Sequence, residues 1–244
     1  MQMGEIISQL PPIALALSGS LLPIGVWLWF WLREDRKHPE PRNLIALAFL
    51  MGALTVAAVI PLQKFTAGYF ALTGTLMFAV WALIEEASKY FAARFSVLWR
   101  RENDEPIDSV IYLVTIALGF AAVENALFLL NPSISGHIMT TILTSDLRSI
   151  GATLLHVLSS SVIGVMIALS WYKTKMVKIL YAVAGVILAT LLHAGFNFLI
   201  LNTKDTYLFH AFGFVWVGII VLLGVLEYVK RMHRPTISRK TTRS

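Results

Sequence analysis

Glu85, Glu86 and Lys89 in "WALIEEASKYFAARF", Glu124 in "LGFAAVENALFLL", His156 in "LLHVLSSS" and His193 in "LLHAGFNF" all stand inside apolar runs, with Asn125 and Asn197 as uncharged polar companions. An ionisable group at the centre of a membrane helix costs about 2.5–3.5 kcal/mol on insertion scales, so those that persist face a cavity or one another. Their types define a short list of chemistries. A carboxylate can take a proton from water, and imidazole and amide groups can donate to a developing oxyanion. Carboxylate oxygens and imidazole nitrogens are also the ligand set of a catalytic zinc site. Glu and His chains serve equally as proton relays in transporters.

Spacing sharpens the list. On a helix, Lys89 reaches Glu86 at i,i+3 and Glu85 at i,i+4, so it can neutralise one of two carboxylates that point about 100° apart. One carboxylate is left over, unless the whole group sits solvated near the lipid headgroups. Glu124 has no basic neighbour in sequence and must be protonated, pair with another helix or coordinate a metal. His193 and Asn197 share a face one turn apart, and Gly195 is expected to thin the adjoining face for close backbone approach. His156 shares its face with Ser159 and Ser160, which reads as either a polar face or small-residue packing. A lone histidine in a membrane helix is more often a hydrogen-bonding group than a ligand.

The elements that position these residues are membrane helices. Of 244 residues, 57% are hydrophobic and 14% charged, outside the balance of a soluble domain. Apolar runs long enough to span a bilayer fall at about 10–32, 43–63, 70–93, 107–130, 149–171, 177–201 and 207–229. The expected fold is all-α and polytopic, with about seven transmembrane helices around a polar catalytic centre. Sixteen of the 20 Lys and Arg residues fall in alternate loops and the C-terminal tail, three (Lys64, Arg148 and Lys204) in the others, and Lys89 within a helix. Cytoplasmic loops carry the basic excess, so the N-terminus is expected outside and the C-terminus in the cytoplasm.

The net charge of +6 follows from this topology and suits anionic lipid rather than nucleic acid. The absence of cysteine excludes disulfides and thiolate ligands or nucleophiles. "MQMGEIISQLPP" lacks the charged start and cleavage site of a signal peptide, so the first helix is expected to be retained. Residues 1–232 read as one transmembrane domain and 233–244 as a disordered basic cytoplasmic tail.

The chain resembles the PrsW family of intramembrane proteases and, more distantly, the CAAX prenyl endopeptidase and bacteriocin-processing superfamily. The resemblance rests on "DRKHPEPR" (Asp35, Glu40, Pro41), "EEASK" (Glu85, Glu86, Lys89), "EPIDSVIYLVTIALGFAAVEN" (Glu105, Pro106, Asp108, Phe120, Glu124, Asn125), His156, and "HAGFN" (His193, Asn197), in order on consecutive helices. The chain departs at Ser109, where members usually have glycine; in members an aromatic often sits near the position of Gly195 or Phe196.

The resemblance implies hydrolysis of a peptide bond in a membrane protein or peptide, such as an anti-sigma factor, in a bacterial cell membrane. It makes Glu85 the general base, with Glu86 beside it as the second carboxylate, and Glu124 a partner in holding water or metal. His193 and Asn197 are the implied oxyanion donors, and His156 is a further ligand or donor. Lys89, Asn125 and Asp108 are implied to support them. Zn²⁺ on Glu85, Glu124, His156 and His193 and a metal-free glutamate mechanism use the same residues, and no HExxH signature is present. A proton- or ion-coupled transporter and a non-catalytic receptor or scaffold are the competing functions.

Overall fold

The computed structural model describes residues 12–34, 38–69, 74–134, 138–201 and 208–232. Asp35 and the tail at 233–244 lie outside the described residues. The described chain is seven helices with no strand: α1 (Pro12–Glu34), α2 (Arg42–Tyr69), α3 (Gly74–Ser96), α4 (Pro106–Ile134), α5 (Ile138–Leu169), α6 (Lys175–Leu201) and α7 (Leu208–Lys230). Each of the seven apolar runs lies on one helix. The largest difference is α5, which starts at Ile138 rather than near 149. Its first turns contain Thr, Ser, Asp and Arg, and backbone hydrogen bonding carries a helix past the point where apolar character stops.

Among the described residues, five helices are long and apolar enough to cross a membrane, over Arg42–Tyr69, Pro106–Phe128, Gly151–Leu169, Lys175–Leu199 and Gly213–Lys230. α3 is interrupted by Glu85, Glu86 and Lys89. Its buried stripe is Ala82, Glu85, Glu86, Lys89, Ala93 and Ser96, while Leu83, Phe91 and Phe95 are exposed on the outside. This inversion suits a membrane, because lipid solvates apolar side chains and leaves polar ones to find partners inside the bundle. α6 follows the same logic, with Ala182, Ala189, His193 and Phe196 buried and Leu180, Ile187 and Leu191 facing out.

α4 is the core helix. Every residue from Pro106 to Ala122 is buried, and the helix packs against α1, α2 and α5. At its crossing with α2 the two backbones touch: a Cβ added at Gly52 would lie 2.0 Å from the Ile116 carbonyl oxygen, and one at Gly119 2.0 Å from that of Phe49. Without a hydrophobic drive between helices in lipid, such close approach is a main source of packing energy. At the α4–α5 crossing the small residue is Gly164, whose added Cβ would meet Val110 Cα at 2.7 Å and the Ser109 carbonyl at 3.0 Å. Ser109 therefore occurs where α5 supplies the glycine.

The start of α4 is tied to the α1–α2 connection by residues of two motifs. Asp108 accepts the backbone N–H groups of Asp104 and Glu105, at 2.9 and 2.6 Å, the reach-back half of a capping box. Pro106 takes the first helical position, where no amide is needed. His38 pairs with Glu105, and the Tyr112 hydroxyl donates to Glu40.

Candidate active site

α3 brings its two carboxylates to the middle of the bundle, where α4, α5 and α6 meet it. Glu85 is eleven residues from each end of α3, about 16 Å either way at the helical rise. Centred in a hydrocarbon core of about 30 Å, such a helix would hold it near mid-depth.

Adjacent positions on a helix point in different directions, and these two reach different surroundings. Glu86 is fully enclosed. Its Oε1 accepts from Lys89 Nζ at 2.6 Å, Ser159 Oγ at 2.8 Å and His193 Nδ1 at 2.8 Å, and its Oε2 from Ser160 Oγ at 3.0 Å. A carboxylate offers about four lone-pair sites, so Glu86 has little capacity left. Ser159 and Ser160, open between packing and polar roles in the sequence, are hydrogen-bond donors.

Glu85 accepts from Gln63 Nε2 at 2.8 Å on Oε1. Among the described residues its Oε2 is buried without a hydrogen-bond partner, and it faces His193 Nε2 at 3.7 Å. Gln63 was not among the expected site residues. The one signal for it in sequence is an uncharged polar side chain just past Pro61, near the end of an otherwise apolar helix.

A second chain of contacts runs from Lys89 through His156 to Glu124. Lys89 Nζ lies 3.1 Å from His156 Nδ1, and His156 Nε2 lies 2.6 Å from Glu124 Oε2. Lys89 also sits over the Phe120 ring, 4.8 Å from its centroid, and Phe120 meets the edge of His156 at 5.1 Å. The His156 and His193 rings are themselves 5.1 Å apart and nearly perpendicular. Glu124 is the opening of the site: its side chain is 43% exposed, against 8% for Glu85 and 0% for Glu86.

The structure thus gathers Glu85, Glu86, Lys89, Glu124, His156 and His193 into one cluster from four helices. Asn125 turns away and donates to Thr153 Oγ1 at 3.0 Å, joining α4 to α5. Asp108 caps the far end of α4 and takes no part in the cluster. Asn197, one turn beyond His193, is half-buried, and among the described residues no hydrogen bond joins it to the others. The expectation for Gly195 is corrected. A Cβ there would meet nothing within 4 Å, and the residue is exposed, because the buried stripe of α6 passes through His193 and Phe196 on the other side.

Glu85, His156 and His193 each place a ligand atom within 4.8 Å of the others. Zinc takes nitrogen and oxygen ligands at about 2.0–2.2 Å, so two ligands of one ion lie at most about 4.2 Å apart; the 3.7 Å between Glu85 Oε2 and His193 Nε2 falls inside that limit. The unpaired Oε2 is the acceptor such an ion needs. His156 has both nitrogens engaged, so it joins the set only by releasing Lys89 or Glu124.

The model of the PrsW family of intramembrane metalloproteases matches residues 40–225, which contain every member of the cluster. Protease PrsW of Geobacillus kaustophilus (strain HTA426) is 28% identical over 187 residues, 76% of this chain and 79% of that protein. Protease PrsW of Oceanobacillus iheyensis (strain DSM 14371) is 27% identical over 225 residues, 91% and 97% of the two chains. Protease PrsW of Bacillus subtilis (strain 168) is 21% identical over 209 residues, 83% and 92%. No solved structure matches the chain.

Proposed function

The chain belongs to the PrsW family of intramembrane metalloproteases, and from that premise we propose that the attacking water is held between Glu85 Oε2 and His193 Nε2. The reading rests on one observation: the only carboxylate oxygen of the "EEASK" pair that is buried and unpaired faces an imidazole nitrogen at 3.7 Å. A water at ordinary hydrogen-bond distance, about 2.8 Å, reaches both atoms from off their axis. Membership of the family makes the chain an intramembrane protease acting on a protein substrate, which sets aside the transporter and scaffold readings.

Glu85 takes the proton of the attacking water, and Gln63 fixes the carboxylate by holding its other oxygen. Glu86 is a positioning residue, orienting His193 from the far side of the ring. Glu85, having taken that proton, is the group that delivers it to the leaving amine, and Glu124, at the exposed mouth, holds His156. Asn197 is the donor left uncommitted for the oxyanion; a donor of this kind is worth about 2.7–4 kcal/mol of transition-state stabilisation. His193 stands beside it but is turned toward the two carboxylates of α3. Zn²⁺ would be held by Glu85 and His193, and by His156 once one of its nitrogens is released. When bound it would supply a water of pKa about 7.

The site's mid-membrane depth and open mouth suit a membrane-spanning or membrane-associated substrate, an anti-sigma factor being one protein of that class. The alternation of basic loops supports a bacterial cell-membrane protein with its N-terminus outside and its C-terminus in the cytoplasm. The metal assignment is tested by elemental mass spectrometry of the purified, detergent-solubilised protein. We expect about one zinc per chain in wild type and a large loss in His193→Ala. Proteolytically active wild type free of divalent metal would overturn it and leave Glu85 alone with its water.

A further inference from the structure

The two buried histidines are held by partners of opposite kind. His193 Nδ1 faces Glu86 Oε1 at 2.8 Å, an acceptor already shared with Lys89 and Ser159. A carboxylate in an ion pair only accepts, so Nδ1 of His193 carries a proton. In the neutral ring its Nε2, turned to Glu85 at 3.7 Å, is then the nitrogen with the lone pair.

His156 Nδ1 faces Lys89 Nζ at 3.1 Å. An ammonium has three donors and no acceptor, and those of Lys89 are directed at Glu86, at His156 and toward the Phe120 ring. Nδ1 of His156 must therefore accept. The ring's proton sits on Nε2 and is donated to Glu124 Oε2 at 2.6 Å.

We propose that Lys89 is a positioning residue that locks His156 as the Nε2–H tautomer while the paired Glu86 locks His193 as the Nδ1–H tautomer, so that the two imidazoles enter the site in complementary states. His193 presents a lone pair to the side of Glu85, and His156 presents a proton to Glu124. One lysine–glutamate pair, buried on α3, thereby sets the chemical character of two residues on α5 and α6. This goes beyond charge neutralisation, which an arrangement of Lys89 and Glu86 without contact to either ring would also achieve. It draws its catalytic meaning from the proteolytic reading but is read out without substrate.

The test is a long-range ¹H–¹⁵N correlation spectrum of the full-length chain with ¹⁵N-labelled histidine, in detergent micelles after treatment with a chelator. His156 and His193 are identified through His156→Asn and His193→Asn. The expected result is protonation of His156 at Nε2 and of His193 at Nδ1. The same tautomer for both, or a proton on Nδ1 of His156, would overturn the proposal from wild type alone.

A charge-balanced double variant, Lys89→Met with Glu86→Gln, then removes the pair. We expect His156 to become a mixture of tautomers. A folded double variant with His156 still fixed as Nε2–H would show that Glu124 alone sets the tautomer. Because the spectra need neither a substrate nor a metal, failure here leaves the proteolytic reading standing, and failure of proteolysis leaves the tautomers to be measured.

Discussion

Glu86 accepts from four donors at zero exposure, whereas Glu85, one residue earlier, keeps one oxygen unpaired. The two should respond differently to the same change. Glu86→Gln removes one partner of a buried ion pair and leaves Lys89 uncompensated, at a cost of about 3–5 kcal/mol. Glu85→Gln keeps an acceptor for Gln63 and should cost less than about 1 kcal/mol. Unfolding in detergent compares them; equal losses would contradict the division of labour. The "EEASK" spacing showed that Lys89 could satisfy only one carboxylate. Which one was not legible, since that choice is made by Ser159, Ser160 and His193 on other helices, and Gln63 lay outside any local pattern.

At the scale of helices, close backbone crossings decide what may be substituted. A side chain at Gly52 or Gly119 would collide with a carbonyl on the facing helix at 2.0 Å, while one at Gly195 would enter open space. Gly119→Ala should therefore destabilise by at least the 1–3 kcal/mol typical of overpacking. Gly195→Ala should be neutral or gain up to about 1 kcal/mol from helix propensity. Thermal unfolding of the two variants in detergent checks the pair, and the opposite ranking would refute the packing at α2 and α4. All seven helices were legible because the apolar runs that lipid demands are local in sequence. The role of Gly195 was misread because a glycine on a helix does not show which face has a neighbour. The burial of α4 from Pro106 to Ala122 was likewise unreadable, since in lipid the exposed helices are just as apolar.

For the molecule as a whole, the distribution of Lys and Arg predicts which loops meet which solution. The chain has no cysteine, so single cysteines introduced in turn at Lys64 and Arg101 report the topology cleanly. With an impermeant thiol reagent added to intact cells, the residue-64 cysteine should be labelled and the residue-101 cysteine protected; the reverse would invert the proposed orientation. In either orientation the proposed water between Glu85 and His193 is unaffected. The most direct measurement is cleavage of a library of single-pass membrane peptides in proteoliposomes, with products identified by mass spectrometry, for wild type and Glu85→Gln. Loss of the general base should reduce the rate about 10²–10⁴-fold while the protein remains folded. A folded Glu85→Gln protein that cuts at the wild-type rate would contradict the account.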